Sequence, residues 1–381
     1  MRVAVSSFRF NQEGGIERVS YELAKRLAPD VDMTLFATAV EPEPVAPLKW
    51  RQVPTPASPA SLVPLTYSRA ATRAIRPGRF DIVHNQGGCA AREQDIITAH
   101  SCHAAWWNMK FREGETLRAI ANPFHHAVLH VERRNYAPGA FRRAIAVSPS
   151  VARELSEFYG VDPDLIRVIP NAVDLERFRP SADARREDIR TRHRFADSDF
   201  VLLFVGKEFR RKGLRAIIDA LVELPDTVKL LVVGGDDPTP FRRHALGLGV
   251  GARVVFAGHA AEVEDYYQAG DAFVFPTIYE AFGLVMLEAA ACGLPVFATR
   301  LGVAEELISD GANGGFIERD GASIAQAIRP LVSDPDLRRR MGADAERSAR
   351  QYPSWDEVTR RTLDLYAEVA DEKRREGYVS A

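Results

Sequence analysis

Short apolar runs alternate with segments of helical hydrophobic spacing along almost the whole 381-residue chain. A short apolar run suits a strand buried on both faces, and the helical segment after it suits the crossover to the next parallel strand. The alternation stops once, at residues 169–171, and restarts at Val201 after a polar stretch. We therefore expect an α/β protein with two doubly wound parallel sheets, one on each side of the interruption.

The same patterns predict the individual elements and the domains. Buried strands are expected over residues 3–6, 33–38, 80–84, 95–99 and 144–147, and then over 201–205, 228–233, 253–257, 272–276 and 295–299. Helices are expected at 213–224, at 261–269 and from residue 283. The predicted domains are 1–170, a junction and start of the second domain at 171–198, 199–353, and a C-terminal helix at 354–381 that crosses back to the first domain.

The composition limits the classes of partner and the cellular compartment expected for this protein. The formal net charge is −2, with 46% hydrophobic and 27% charged residues, which favours a globular protein without a nucleic-acid partner. The three cysteines form no C-x-x-C pair, which favours a reducing compartment. No apolar run approaches the roughly 20 residues that span a bilayer, and the N-terminal residues lack the apolar core of a signal peptide. We expect a cytoplasmic protein.

Ligands of parallel α/β sheets bind at the carboxyl ends of the strands. Two such sheets facing each other would form a cleft lined by the loops that follow the strands. Candidate residues are therefore sought in those loops.

The loop after the apolar run A-F-V-F-P carries the strongest candidate site. Glu280 lies in this loop, a helix is predicted to begin near Gly283, and Glu288 lies more than one turn into that helix. The amides of Phe282, Gly283 and Leu284 would be helix N-terminal donors, which bind anions. Separately, Glu280 could be a helix-capping acid and Glu288 a solvated or salt-bridged helix residue. Together with the anion site, the two carboxylates suit a polyhydroxylated diphosphate, because carboxylates accept hydrogen bonds from sugar hydroxyls.

A basic loop follows the first strand of the second domain. It begins at Gly206 and contains Lys207, Arg210, Arg211 and Lys212. A diphosphate leaving group needs cations that meet its developing charge, and this loop stands at a strand end. The alternative is a basic loop that faces solvent.

The first domain offers two further candidates at strand ends. Gly14 and Gly15 follow the first strand, but their spacing does not match the G-x-G-x-x-G fingerprint of a dinucleotide site, and a tight turn is the alternative. His100 ends a predicted strand, with His103 nearby. A single histidine in such a position is more often structural than catalytic. His84 is expected to end a structural strand.

The segment E-A-F-G-L-V-M-L-E-A from Glu280 resembles the donor-site motif of glycosyltransferase family 4. The resemblance covers nearly the whole chain and is strongest over residues 144–318. It includes V-I-P-N-A-V-D from Val168, which is similar to the family's interdomain segment with Ala172 in place of the usual glycine. It implies a GT-B fold, in which two Rossmann-like domains face each other across a cleft, and sugar transfer from a nucleotide diphosphate with retention of configuration.

The resemblance also implies roles for the candidate residues. Glu280 and His100 would contact the transferred sugar, and Glu288 would bind the ribose hydroxyls. The amides of Phe282, Gly283 and Leu284 would hold the sugar and phosphate, and Lys212 would bind the diphosphate and stabilise it as it leaves.

The remaining donor-binding assignments also come from this resemblance. Lys207 would be a second phosphate ligand, in the place where the family usually has arginine, and Gly206 and Arg211 belong to the same loop. Gly14 and Gly15 would lie beside the pyrophosphate.

The resemblance and the loop chemistry together define the expected cofactors and substrates. The D-x-D spacings lie before strands or beside helix ends, so we expect no essential metal, with basic residues and amides in its place. The donor would be a nucleotide-diphosphate sugar, with a UDP-sugar favoured. The acceptor would be a hydroxyl of a cell-envelope glycan or glycolipid.

Residues 101–143 bear on the acceptor. They carry seven lysines and arginines against three glutamates, interleaved with the aromatic residues Trp106, Trp107, Phe111, Phe124 and Tyr136. Such a segment suits an anionic inner-membrane surface or a phosphorylated glycolipid, and a partly solvated helical hairpin is the alternative. The run E-R-R-N-Y-A-P-G resembles lipopolysaccharide-core α-glucosyltransferases of the same family, which implies a role in lipopolysaccharide biosynthesis.

Rival functions share the doubly wound architecture. A nicotinamide dehydrogenase would need the dinucleotide fingerprint, which this chain lacks. A nucleotide-sugar epimerase of GT-B fold, a glycosyltransferase of small molecules or natural products, and a silent nucleotide-sugar-binding protein stay open.

Overall fold

The computed structural model describes residues 1–11, 15–42, 46–55, 59–76, 80–112, 121–180, 183–260 and 262–377. The chain divides into two compact units. The first contains Met1–Asn171 and Trp355–Ala381, and the second contains Ala172–Ser354. Each unit has one principal parallel sheet with helices around it.

The first unit is built on its parallel strands. These are β1 (Arg2–Ser6), β2 (Arg9–Phe10), β3 (Asp32–Ala37), β4 (Ala39–Val40), β5 (Lys49–Gln52), β6 (Ile82–Gln86), β7 (Ile96–Ala99), β8 (Arg143–Ala146) and β9 (Ile166–Val168). In the described part of the chain, seven of them form a sheet in the order β5-β3-β1-β6-β7-β8-β9, and β2 pairs with β4. Consecutive residues of the central strands are fully buried, such as Ile96 and Ile97, because helices cover both faces.

The second unit repeats this architecture. Its strands are β10 (Phe200–Val205), β11 (Val228–Val233), β12 (Val254–Gly258), β13 (Ala272–Phe275), β14 (Val296–Ala298) and β15 (Gly314–Phe316). They lie parallel in the order β12-β11-β10-β13-β14-β15. The strand order reverses between β10 and β13, and this switch point is where open α/β sheets bind ligands. The loops after these two strands contain Lys212 and Glu280.

Helices connect the strands in both units. The first unit has α1 (Gly15–Leu27), α2 (Val63–Ile75), α3 (His103–Arg112), α4 (Pro123–Asn135) and α5 (Pro149–Tyr159). The second unit has α6 (Asp183–Arg192), α7 (Leu214–Ala220), α8 (Thr239–Gly247), α9 (Val263–Ala269), α10 (Leu284–Ala291), α11 (Ala304–Leu307), α12 (Gly321–Ser333) and α13 (Pro335–Gln351). The last helix, α14 (Trp355–Arg375), belongs to the first unit.

Ion pairs and a buried tyrosine hold α14 on the first unit. Arg143 Nη2 lies 2.7 Å from Glu368 Oε1, and Lys373 Nζ lies 2.9 Å from Asp95 Oδ2. Tyr366 is fully buried. Helix α14 carries charged residues along its 21-residue length, and no helix in the described ranges is long and apolar enough to cross a membrane.

Three elements differ from the sequence-based expectation. The helix predicted over 213–224 ends at Ala220 and continues as a 3-10 turn, Leu221–Glu223. The polar stretch at 171–198 contains α6, and the buried Arg190 of this helix contacts Asp271, at 3.4 Å, and the carbonyl of Asp199, at 2.6 Å. Strand β6 continues to Gln86, so His84 lies inside a strand and the prediction that it ends one was wrong.

Candidate functional site

The turn between β13 and α10 presents a helix N-terminus beside a carboxylate. Gly283 precedes α10 with φ of 90°, a left-handed conformation that glycine adopts without strain. Helix α10 therefore begins at Leu284, and the first amides of a helix have no partner within it. The carbonyl of Phe282 accepts a hydrogen bond from Val303 N at 2.6 Å, which holds the turn in place.

Glu280 lies in this turn with a buried oxygen. Its side chain is 16% exposed, and its Oε2 makes no hydrogen bond to the described residues. The nearest cations are Lys212 Nζ and Arg211 Nη1, each 3.9 Å from Oε2. A carboxylate oxygen held near two cations without a hydrogen bond is a ready acceptor for a ligand hydroxyl.

Close packing brings the basic loop to Glu280. Gly213 has φ of 80°, and a Cβ at this position would collide with the carbonyl oxygen of Pro276. This contact lies between the loop after β10 and the loop after β13. Lys212 is consequently 14% exposed, with Nζ 4.9 Å from the centre of the Phe275 ring. Burial lowers the pKa of Lys212, and the Glu280 carboxylate acts in the opposite direction.

The other residues of the basic loop have different environments. Lys207 is exposed to solvent. The Arg211 guanidinium donates to Glu208 Oε2 at 2.7 and 3.0 Å and to the carbonyl of Tyr279, so it joins the two loops. A Cβ at Gly206 would come within 2.8 Å of the Lys212 side chain, which shows how closely the lysine covers this glycine.

Asp236 orders the same loop, and the sequence did not single it out. Its Oδ2 accepts a hydrogen bond from Phe209 N at 2.8 Å. Asp236 follows β11, so the rule that sites form at strand ends could have found it.

Glu288 is buried in α10 and has a tyrosine partner. It is 2% exposed, and its Oε2 accepts a hydrogen bond from the fully buried Tyr267 hydroxyl at 2.8 Å. A buried carboxylate needs such a donor. Tyr267 lies on α9, 21 residues earlier in the chain, and no local motif signals the pair.

In the first unit, the predicted residues lie near the ends of β1 and β7. Gly14 lies outside the described residues, and Gly15 is the first residue of α1. His100 directly follows β7 and is 7% exposed. Its Nε2 lies 2.8 Å from Gln86 Oε1 and 3.4 Å from Ser20 Oγ, and burial lowers the pKa of His100 to about 4. Histidine 100 is therefore neutral at physiological pH.

His103, the other candidate histidine, lies apart from this set of partners in an aromatic cluster on α3 and α4. Its ring stacks on Trp106 with centroids 5.0 Å apart and on His125 at 5.2 Å. Trp107 lies 5.2 Å from His125, and Lys110 Nζ lies 4.3 Å from the Trp106 ring centre. The two tryptophans are half-buried, so part of each ring is open to a ligand.

A buried acid lies beneath this cluster. Glu132 Oε2 accepts hydrogen bonds from His103 N, at 3.1 Å, and from the Tyr159 hydroxyl. Glu132 is 4% exposed, and burial raises its pKa to about 7 although both hydrogen bonds act to lower it. Glu132 thus caps the N-terminus of α3, a role that the sequence did not indicate.

Two family models match the chain. Residues 13–177 match the model described as Glycosyltransferase Family 4, and residues 185–348 match the model described as Glycosyl transferases group 1. The boundary between the two matches falls in the polar stretch that interrupts the strand–helix alternation.

Several known glycosyltransferases are similar to this chain over most of their length. The D-inositol 3-phosphate glycosyltransferase of Streptomyces bingchenggensis (strain BCW-1) is 31% identical, with 95% of this chain and 86% of the relative covered. The crystal structure of WaaG, a glycosyltransferase involved in lipopolysaccharide biosynthesis, has a TM-score of 0.81 at 22% identity, with 96% of this chain and 99% of that chain covered. Anabaena Alr3699/HepE in complex with UDP-glucose has a TM-score of 0.76 at 18% identity, with 97% and 100% covered.

The fold and these comparisons define the class of enzyme to which the chain belongs. Two Rossmann-like units with parallel sheets, similar to these solved glycosyltransferases, make up the GT-B fold. The chain belongs to glycosyltransferase family 4, as the family match and the full-length relatives show. It is a glycosyltransferase, and the resemblance predicted from its motifs is confirmed.

Proposed function

We propose that this glycosyltransferase moves a hexose from a nucleotide-diphosphate sugar, with a UDP-sugar favoured, to an acceptor hydroxyl with retention of configuration. The observation that carries the proposal is the buried Glu280 Oε2, which makes no hydrogen bond to the described residues and lies 3.9 Å from Lys212 Nζ beside the N-terminus of α10. Anabaena Alr3699/HepE has been solved in complex with UDP and glucose and in complex with UDP-glucose, which supports this donor.

Each side chain then has a role that suits its chemistry. Lys212 binds the diphosphate with the amides of Phe282, Gly283 and Leu284, because both are donors that meet negative charge. Glu280 accepts hydrogen bonds from the sugar.

The remaining residues complete the proposed donor contacts. Glu288, oriented by Tyr267, accepts hydrogen bonds from the ribose hydroxyls. His100 makes a neutral hydrogen bond to the transferred sugar. Lys207, Gly206 and Arg211 belong to the phosphate loop, with Arg211 acting chiefly through the contacts that join the two loops. Gly15 would lie beside the pyrophosphate.

The proposed reaction needs no metal ion. The acceptor oxygen bonds to the anomeric carbon while the bond from that carbon to the phosphate oxygen breaks. The acceptor proton passes to the leaving phosphate oxygen on the same face of the sugar, and the nucleoside diphosphate departs. Lys212 and the helix amides meet the charge that develops on the phosphate, as preorganised donors do.

The acceptor we propose is a hydroxyl of a cell-envelope glycan or glycolipid, such as a lipopolysaccharide core. Contact of the α3–α4 cluster with the cytoplasmic membrane surface would accompany it, because Trp106, Trp107 and Lys110 combine aromatic area with positive charge. A second candidate acceptor is a phosphorylated inositol, because the relatives at 30–31% identity are D-inositol 3-phosphate glycosyltransferases.

A donor and acceptor panel tests the proposal. Thermal shifts are measured with UDP-, GDP- and ADP-sugars, and release of the nucleoside diphosphate is then followed with lipopolysaccharide core or D-inositol 3-phosphate. We expect stabilisation by a UDP-sugar and transfer to one of the two acceptors, with the anomeric configuration of the product read by NMR. Vesicles of phosphatidylglycerol, with phosphatidylcholine as control, test the membrane contact by co-sedimentation.

Two results would contradict the proposal. If no nucleotide sugar raises the melting temperature, the donor assignment is wrong. If Glu280→Gln transfers sugar at the rate of the unchanged protein, the function stands and the site assignment fails. EDTA in the same assay tests whether a metal ion is needed.

A further inference from the structure

A chain of hydrogen-bonded side chains links His100 to the C-terminal helix within the first unit. His100 Nε2 lies 2.8 Å from Gln86 Oε1, and Gln86 Nε2 lies 3.3 Å from His84 Nε2. His84 Nε2 also lies 2.7 Å from Thr98 Oγ1. His84 Nδ1 lies 2.7 Å from the Tyr366 hydroxyl on α14. The last contact joins residues 282 positions apart in the chain.

Strand geometry explains how these side chains meet. His84 and Gln86 are two residues apart on β6, so they point to the same face of the sheet. Gln86 pairs with Thr98 on the neighbouring strand β7, and His100 follows Thr98 by two residues. Tyr366 closes the chain from α14, with its ring edge-on to His84 at 5.6 Å.

The two imidazoles in this series of hydrogen-bonded side chains, those of His84 and His100, are neutral. Burial lowers the pKa of His84 to about 3, with a smaller contribution from His100, and burial lowers the pKa of His100 to about 4. A neutral imidazole has one nitrogen that donates and one that accepts, so its hydrogen-bonding role depends on its tautomer.

The Gln86 amide couples the two tautomers, because one end of an amide accepts and the other donates. Its Oε1 is directed at His100, so Nε2 of His100 carries the hydrogen. Its Nε2 is directed at His84, so Nε2 of His84 accepts and Nδ1–H of His84 donates to the Tyr366 oxygen. Reversing the amide would reverse both tautomers together, so the tautomer of His100 depends on that of His84.

We infer that Gln86 is a positioning residue that sets the tautomer and ring orientation of His100, with His84 and Tyr366 of α14 anchoring its far end. The inference rests on the proposed function for the consequence in catalysis. With Nε2–H committed to Gln86, the Nδ1 lone pair is the part of His100 that accepts a hydrogen bond from a sugar hydroxyl. Through Tyr366, the C-terminal helix α14 thereby helps to set the ring orientation of His100 at the end of β7.

Nitrogen-15 NMR of the histidine rings tests the inference on the full-length protein. His100 is assigned by comparison with His100→Gln, and the unchanged protein is expected to show the Nε2–H tautomer there. Gln86→Met keeps the volume of the side chain and removes its hydrogen bonds to His84, His100 and Ser20, so the His100 signal should move to a mixture of tautomers. Gln94→Met is the matched control, since Gln94 makes its hydrogen bonds to Asn85 and the carbonyl of Asn135 instead.

Transfer kinetics give the second readout. Gln86→Met should lower kcat about 10- to 100-fold with the KM for donor nearly unchanged. That loss is smaller than the roughly 10⁴-fold loss from a catalytic base in the wrong tautomer, because His100 hydrogen-bonds to sugar and transfers no proton. Tyr366→Phe removes one hydroxyl at the far end, so it should shift the His84 signal and lower kcat only a few-fold. If Gln86→Met does not fold, Tyr366→Phe alone tests whether the hydrogen-bonded side chains control the ring of His84.

The outcomes separate this inference from the proposed function. If neither Gln86→Met nor Tyr366→Phe changes the ring signals of His84 and His100, the inference is overturned. If the His100 tautomer changes while kcat does not, the positioning by Gln86 stands and the proposed contact of His100 with the sugar is wrong.

Discussion

The candidate site residues of the second unit are charged side chains at strand ends, whereas the buried residues around His100 in the first unit are neutral. In the second unit, Lys212 and Glu280 lie 3.9 Å apart at the switch point of the sheet. In the first unit, His84 and His100 are held neutral by burial, and an amide joins them. Under the proposed function, this difference matches the two parts of a nucleotide sugar. A diphosphate that leaves needs fixed charge, and sugar hydroxyls need hydrogen-bond partners of fixed polarity.

Removing the cation of the charged site should have the largest effect. Lys212→Met is expected to lower kcat/KM about 10²- to 10³-fold, or about 3–4 kcal/mol, because a preorganised donor to the leaving group is lost. Lys229→Met is the control, since Lys229 lies near the start of β11 and donates to the carbonyl of Asp226. Steady-state kinetics with a fixed acceptor gives the measurement, and a loss below about fivefold would remove Lys212 from the phosphate site.

The neutral groups of the first unit should make its stability depend on pH. The unfolded chain binds protons at His84 and His100 below about pH 6.5, while the folded unit does not until about pH 3–4. The contribution of these histidines to stability is therefore constant above pH 6.5 and falls on acidification, by about 1.4 kcal/mol per pH unit for each histidine. His103, whose pKa burial lowers to about 4, acts in the same direction.

Glu132 should oppose this loss. Burial raises its pKa in the folded unit to about 7, above the ordinary 4.5 of a glutamate, so the folded unit takes up a proton first, and stability from this group rises as the pH falls from about 7 to 4.5. Glu132→Gln removes the gain, so its stability should fall more steeply on acidification, with a difference of about 2–3 kcal/mol by pH 5. Equal slopes for the two proteins would show that Glu132 titrates normally.

The measurement can be confined to the first unit. All four tryptophans, Trp50, Trp106, Trp107 and Trp355, lie in it. Urea unfolding is followed by tryptophan fluorescence between pH 7.5 and 5. Because the second unit contributes no tryptophan signal, this measurement reports the stability of the first unit.

The smallest expected effect concerns the orientation of Glu288. Tyr267→Phe removes the hydroxyl that donates to Glu288 Oε2, and should raise the KM for donor about 5- to 10-fold, or about 1–1.4 kcal/mol, with kcat little changed. Tyr266→Phe is the matched control from the adjacent position, where the ring lies near His193. If both variants bind donor equally well, the Tyr267 hydroxyl does not orient Glu288 for the ribose.

Strand ends and local glycine turns account for the residues that could be predicted. The alternation of apolar runs and helical spacing led to two parallel sheets, and ten strands were expected within a few residues of their observed bounds. Short strands such as β9 and β15 were missed, since three residues carry too little pattern to distinguish a strand from a loop. The candidate residues Lys212, Glu280 and Glu288 came from two motifs, each contained in a single strand–loop–helix segment.

The sequence by itself determined the class of fold, through an alternation of short apolar runs and helical spacing that repeats along the chain. It also determined the charged residues of the candidate site, through motifs that span fewer than about fifteen neighbouring residues. Only the tertiary structure decided the partners of those residues. The pairs Tyr267–Glu288, Glu132–His103 and His84–Tyr366 each join separate elements, so their contacts depend on how helices pack on the sheets. The same packing commits Arg211 to joining two loops and holds His100 neutral, and burial of this kind has no signature in local sequence.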